Sequence, residues 1–205
     1  MIDAYHHGDL RRAVLDRTVQ VIASEGADAL SLRALAADLG VSHTAPRHHF
    51  TSRQGLLTAV AVEGFVELRS RLEEIRNQGG SFLDIGVGYV AFALDRPAHF
   101  SVMFTPATLD LTDPDLEAAM DSTFALLRQG VDELPGPAAQ QDAAAAVIAS
   151  WSLVHGLATL ALSGNLDKAR VRDLVGGDLL DLARRSARML HQPADLRFPA
   201  EKESS

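Results

Sequence analysis

Ser42 to Phe50 reads "SHTAPRHHF" and holds three histidines, an arginine, a threonine and a serine. Imidazole, guanidinium and hydroxyl groups at this density donate and accept hydrogen bonds in the way that base edges and phosphates in a DNA major groove require. A metal site built from His43, His48 and His49 is the weaker reading. Helix residues five apart point in different directions, and no carboxylate accompanies them, so no metal is expected. A second set of polar and aromatic side chains sits inside apolar helical patterns. It comprises Tyr89, His99, Met103, Phe104, Met120, Phe124, Trp151 and His155. Each alone is more often core packing, but together they have the make-up of an apolar small-molecule cavity with a few polar handles. Catalytic signatures are wanting: there is no glycine-rich phosphate loop after a strand and no Ser/His/Asp motif. Glu73 and Glu74 read as a solvated helix face. The chain is therefore expected to be no enzyme and to use no cofactor.

The elements that must carry these side chains are helices. Apolar residues recur at three- and four-residue spacing almost throughout, which predicts an all-α chain of about nine helices. The first runs from about Gly8 to Glu25 and stops at Gly26. Ser31 caps the second, whose Leu32, Leu35, Ala36 and Leu39 fall on one face, and Gly40 ends it in a left-handed cap. Ser42 is expected to cap a third helix reaching about His49. Within that helix Pro46 sits at the first place where its missing N–H matters. This is a helix-turn-helix pattern with His43, Thr44, Arg47 and His48 facing outward.

Thr51 with Gln54 forms a capping-box pattern for a long fourth helix to about Gln78. Further helices follow at about 82–95, 97–104, 114–133, 138–163 and 171–190. "PGPA" at 135–138 and "SGNLD" at 163–167 are turns, and 192–205 reads as a disordered tail. The expected division is 1–52 as the helix-turn-helix head, 53–191 as the ligand-binding and dimerising body, and 192–205 as the tail.

Composition sets limits on this reading. The 205 residues carry a net charge of −8 and no cysteine, which excludes disulfides and thiolate metal sites and fits a cytoplasmic location. Residues 1–58 hold six Arg and six Asp/Glu, so the whole negative excess lies in the body. A neutral, histidine-rich head is compatible with phosphate contact. The opening "MIDAYHHGDLRR" has no apolar signal-peptide core. Ala143 to Ser163 has no charged residue and is long enough to span a bilayer. His155, Gly156, four hydroxyl residues and the lack of a basic flank favour a buried helix of a helical domain.

The run "YHHGDLRRAVLDRTVQVIASEGADALSLRALAADLGVSHTAPRHHFTSRQGLLTAV" resembles the DNA-binding domain of TetR-type (tetracycline-repressor family) transcriptional regulators. "GVS", Phe50 and "TSRQGLL" are the matching pieces. "RPAHFSVMF" and "SWSLVHGLATLALSG" are similar, more loosely, to effector domains of that family, the second to a Trp-His-Gly pattern. The resemblance implies a homodimeric repressor that binds a palindromic operator in double-stranded DNA and is released by a small, mostly apolar inducer. By position it implies that Arg33, Ser42, His43, Thr44 and His48 face bases, while Arg47 and Arg53 contact phosphates. Arg47 stands where the family usually has tyrosine, and Pro46 where an aliphatic residue is common. For the last long helices it implies a four-helix seam between two copies. Val171, Leu174, Val175, Asp178, Leu179, Leu182, Ser186 and Met189 form the candidate stripe, of which Leu174, Leu179, Leu182 and Ser186 are the expected interface. Two alternatives keep the helices but not the DNA: a dimerisation module whose head binds a protein, and a membrane-associated helical protein.

Overall fold

The computed structural model describes residues 7–134, 142–167 and 177–191, and among these every regular element is helical. The order is α1 (His7–Glu25), α2 (Leu32–Asp38), α3 (Arg53–Asn77), α4 (Phe82–Asp95), α5 (Pro97–Met103), α6 (Pro114–Asp132), α7 (Ala143–Leu162) and α8 (Leu179–His191). Short 3₁₀ turns occupy Ala27–Ala29, Ala45–His48 and Pro106–Thr108. The expected "PGPA" turn, Val171, Leu174, Val175 and the 192–205 tail lie outside the described residues.

Local chemistry sets the boundaries. The Ala34 N–H donates to Ser31 Oγ, so Ser31 caps α2 as expected. At its other end Gly40 takes φ +67°, and Val41 and Gly40 donate to the carbonyls of Ala36 and Ala37. That pair of bonds closes a Schellman cap, which needs the left-handed conformation glycine adopts most freely. The cap of α3 is Ser52, accepting from the Gly55 N–H at 3.0 Å, rather than Thr51. Ser81 and Asp84 form a reciprocal capping box for α4. Asp113 and Asp142 cap α6 and α7.

The core is continuous from head to body. Val14, Leu15, Leu35 and Phe50 lie in one buried cluster with Leu56, Leu57, Val60, Leu68, Val90 and Phe92. The long α3 makes this possible, since its first turns meet the head and the rest packs on α4, α5 and α6. Gly64 marks a close approach of α3 to α5: a Cβ there would lie 2.5 Å from Met103 Sδ and 3.2 Å from His99 Cβ. Beyond this layer α7 and α8 pack on α4 and on each other. The uncharged α7 buries only Val147, Val154 and Ala158, while Ile148, Leu160 and Leu162 are exposed. The buried-helix expectation therefore holds for one face of α7. By length and composition α7 is also the one described helix that could cross a membrane.

Candidate functional site

In the head, α1 packs against α2, α3 and the turn at Ala45–His48. Arg17 of α1 pairs with Asp38 of α2 at 2.8 Å, and the Arg11 guanidinium lies 5.5 Å from the Phe50 ring centroid. Leu35, Ala36, Pro46 and Phe50 face inward and are buried. Arg33, Ser42, His43, Thr44, Arg47 and His48 are all exposed on the other side. The inside-outside split of this stretch is thus the one that its residue types predict.

The third helix itself differs from expectation. Residues 45–48 form a single 3₁₀ turn, and Ser42 does not cap it; Ser42 Oγ instead lies 3.2 Å from Thr44 Oγ1. Pro46 is the reason. A helix begun at Ser42 needs an N–H at residue 46 to reach the Ser42 carbonyl, and proline has none. The Ala45 N–H takes that carbonyl at 3.0 Å, and Pro46 falls in the first turn, where no N–H is required. Arg53 opens α3 as expected, but its Nη2 donates to the Ala27 carbonyl at 2.7 Å and lies 3.6 Å from Asp28. One arm of the fork therefore serves the head's own backbone.

In the body a cavity of about 570 Å³ opens between α3, α4, α6 and α7, with the end of α5 at one wall. Phe65, Leu68, Ile85, Phe104 and Val154 make it apolar. Of the eight expected residues, Tyr89, Met103, Phe104, Met120, Phe124, Trp151 and His155 line it. Met120 and Phe124 are 40 % and 41 % exposed, so α6 forms the rim facing solvent. The rings pack edge-on and tilted: Phe104 meets His155 at 4.7 Å and Trp151 at 6.3 Å, and Phe100 stacks on His155 at 5.3 Å. Tyr89 Oη lies 2.9 Å from His155 Nδ1 and accepts from Trp151 Nε1 at 3.4 Å. Burial raises the Tyr89 pKa, against a smaller opposing effect of the Trp151 bond, and lowers that of His155, so both are neutral at pH 7.

His99 is the exception and corrects the expected set. It does not line the cavity but is buried between α3 and α5, with Nε2 4.0 Å from Glu63 and no hydrogen-bond partner for either ring nitrogen among the described residues. Burial lowers its pKa more than the nearby Glu63 and Glu67 raise it. Sequence spacing missed this because His99 and Met103 share one helix face and both lie against Gly64 of α3, and only packing shows that Met103 reaches the cavity while His99 is sealed off from it.

Two family profiles cover most of this architecture. Residues 14–60 match "Bacterial regulatory proteins, tetR family". Residues 82–190, more than half the chain, match "Tetracyclin repressor-like, C-terminal domain".

The chain belongs to the TetR family.

Its relatives agree. The chain is 26% identical over 165 residues to an uncharacterised HTH-type transcriptional regulator of Mycobacterium tuberculosis, Rv0681, covering 77% of this chain and 72% of that one. It is 24% identical over 156 residues to another, YobS of Bacillus subtilis, covering 75% and 79%. A solved protein of unknown function from Rhodococcus sp. RHA1 superposes with a TM-score of 0.70 at 32% identity, covering 93% of this chain and all of that one. This TetR-family chain is a DNA-binding transcriptional regulator, and its relatives are regulators too. The TetR N-terminal match spans the helix-turn-helix and the first turns of α3, and most of the cavity lining falls within the matched C-terminal domain. Of the expected TetR-type seam, Leu179, Leu182 and Ser186 are half-buried on α8, and Leu174 lies outside the described residues.

Proposed function

We propose that this regulator is a cytoplasmic homodimeric repressor whose two heads bind a palindromic operator and which a small, mostly apolar ligand releases from DNA. The observation that carries the reading is the exposed polar face of Arg33, Ser42, His43, Thr44, Arg47 and His48 beside the capped start of α3. Thr44 and His48 supply base contacts. Arg47, the α3 N-terminal amides and the N–H groups of Arg53 that bond no described residue supply phosphate contacts. The division at residue 52 follows: the head ends where α3 begins, and the body takes ligand and partner.

Ligand and DNA are connected through the lip of the cavity. Phe104 and Pro106 line the cavity, and the chain just after them is fastened to the first turns of α3. Gln54 Nε2 donates to the Leu109 carbonyl at 2.9 Å, and the buried Thr58 Oγ1 accepts from the Asp110 N–H at 2.9 Å. A ligand that displaces Phe104 pulls on the end of α3 that adjoins the DNA-facing turn. For the dimer, the bare apolar face of α7 and the 77 %-exposed Met189 of α8 support a seam between two copies, the same patch on each.

Footprinting of the DNA around the protein's own gene tests the proposal. Protection of one inverted repeat is expected. Uniform coverage, or none at micromolar protein, contradicts it.

A further inference from the structure

Three polar side chains of the cavity wall, Trp151, Tyr89 and His155, form one directed relay. Indole Nε1–H can only donate, and it points at Tyr89 Oη. The phenol proton has His155 Nδ1, at 2.9 Å, as its one acceptor among the described residues, and leaving a buried hydroxyl proton unpaired is costly, so it goes there. Nδ1 must then be the unprotonated nitrogen of a neutral ring, and burial keeps the ring neutral. The ring proton is thereby fixed on Nε2, which bonds to no described residue. His155 thus offers a ligand a donor whose direction is set by its neighbours, whereas the hydroxyls of Ser150 and Ser152, which also line the cavity, rotate to donate or accept.

Charge narrows the ligand further. Among the described lining residues there is no Lys or Arg, and the one charged side chain is Asp121, exposed at the rim. A carboxylate or phosphate entering from water would lose its hydration with no cation to replace it. The net charge of −8 adds to the barrier against anions.

We infer that the cavity takes a neutral, largely hydrocarbon ligand carrying a hydrogen-bond acceptor, of the ketone, ester or ether type, and seats that oxygen on His155 Nε2–H. The inference rests on the reading of the cavity as the ligand site. Its volume of about 570 Å³ suits a molecule of several rings or an extended chain. Trp151 is the chain's sole tryptophan and lines the cavity, so its emission reports occupancy directly.

The test uses the full-length protein and four pyrenes that differ in one substituent: 1-acetylpyrene, 1-ethylpyrene, 1-pyrenecarboxylate and trimethyl(pyren-1-ylmethyl)ammonium. Quenching of Trp151 gives each affinity. The ketone is expected to bind more tightly than either ion. His155→Phe keeps the packing and removes the donor, and should weaken the ketone about ten-fold while leaving the ethyl compound within about two-fold. Tyr89→Phe frees the tautomer and should erode the same ketone preference, which keeps the test open if the first variant does not fold. Tightest binding by the carboxylate or the ammonium, or equal effects of both variants on ketone and hydrocarbon, overturns the acceptor assignment. Failure of all four to quench Trp151 overturns the cavity as a ligand site, and the inference with it.

Discussion

Thr44 and His48 stand exposed on the turn that follows Gly40, and base readout is assigned to them because their side chains reach outward with hydrogen-bonding atoms. Thr44→Val and His48→Ala should each cost about 1–3 kcal/mol on the preferred operator and little on random duplex, measured by competition binding. Equal losses on both duplexes would make them phosphate contacts. His99 makes a different residue-scale prediction. Glu63, Glu67, Arg96 and Arg12 surround it electrostatically, but burial dominates and its folded pKa lies below the usual 6.5. The unfolded chain therefore takes up the proton first, and stability falls as pH drops below about 6.5. In urea unfolding between pH 7.5 and 5, His99→Leu should flatten that fall. An unchanged slope would show that His99 is not its source. Residue types made the outward polar face legible in the sequence. His99 was misplaced because its neighbour across the interface, Gly64, is distant in sequence and leaves no periodic signal.

Among the elements, helix ends were legible wherever a capping side chain or a glycine stands alone, as at Gly26, Ser31 and Gly40. They were misread where two candidates adjoin, as at Thr51 and Ser52, or where proline vetoes a cap, as at Ser42. The ties between α3 and the segment after α5 were not legible at all, since Gln54–Leu109 and Thr58–Asp110 join residues more than fifty apart. Those ties carry the third prediction. Thr58→Val removes the acceptor for Asp110 but leaves both the cavity and the DNA-facing turn in place. DNA affinity and ligand affinity should stay within about three-fold of wild type, whereas the coupling between them, normally worth about 1–3 kcal/mol, should shrink. Titrating DNA with and without 1-acetylpyrene measures it, and full coupling in the variant would rule out this route.

For the whole molecule, the periodicity of α7 was legible but its surroundings were not. An uncharged helix reads as buried, and only the packed chain shows that Ile148, Leu160 and Leu162 remain uncovered in one copy. Ile148→Asp places two related charges in an apolar seam and should convert the dimer to a monomer in analytical ultracentrifugation, with helical content retained. A variant that still sediments as a dimer would move the interface elsewhere.

The central claim is that the head reads a particular DNA sequence. Fluorescence anisotropy of the full-length protein on labelled duplexes tiling the DNA around its gene, at two salt concentrations, tests it most directly. One duplex containing an inverted repeat should bind about 10³-fold or more tightly than random sequence, with affinity falling steeply as salt rises. Equal affinity for every duplex, or binding indifferent to salt, would contradict the account.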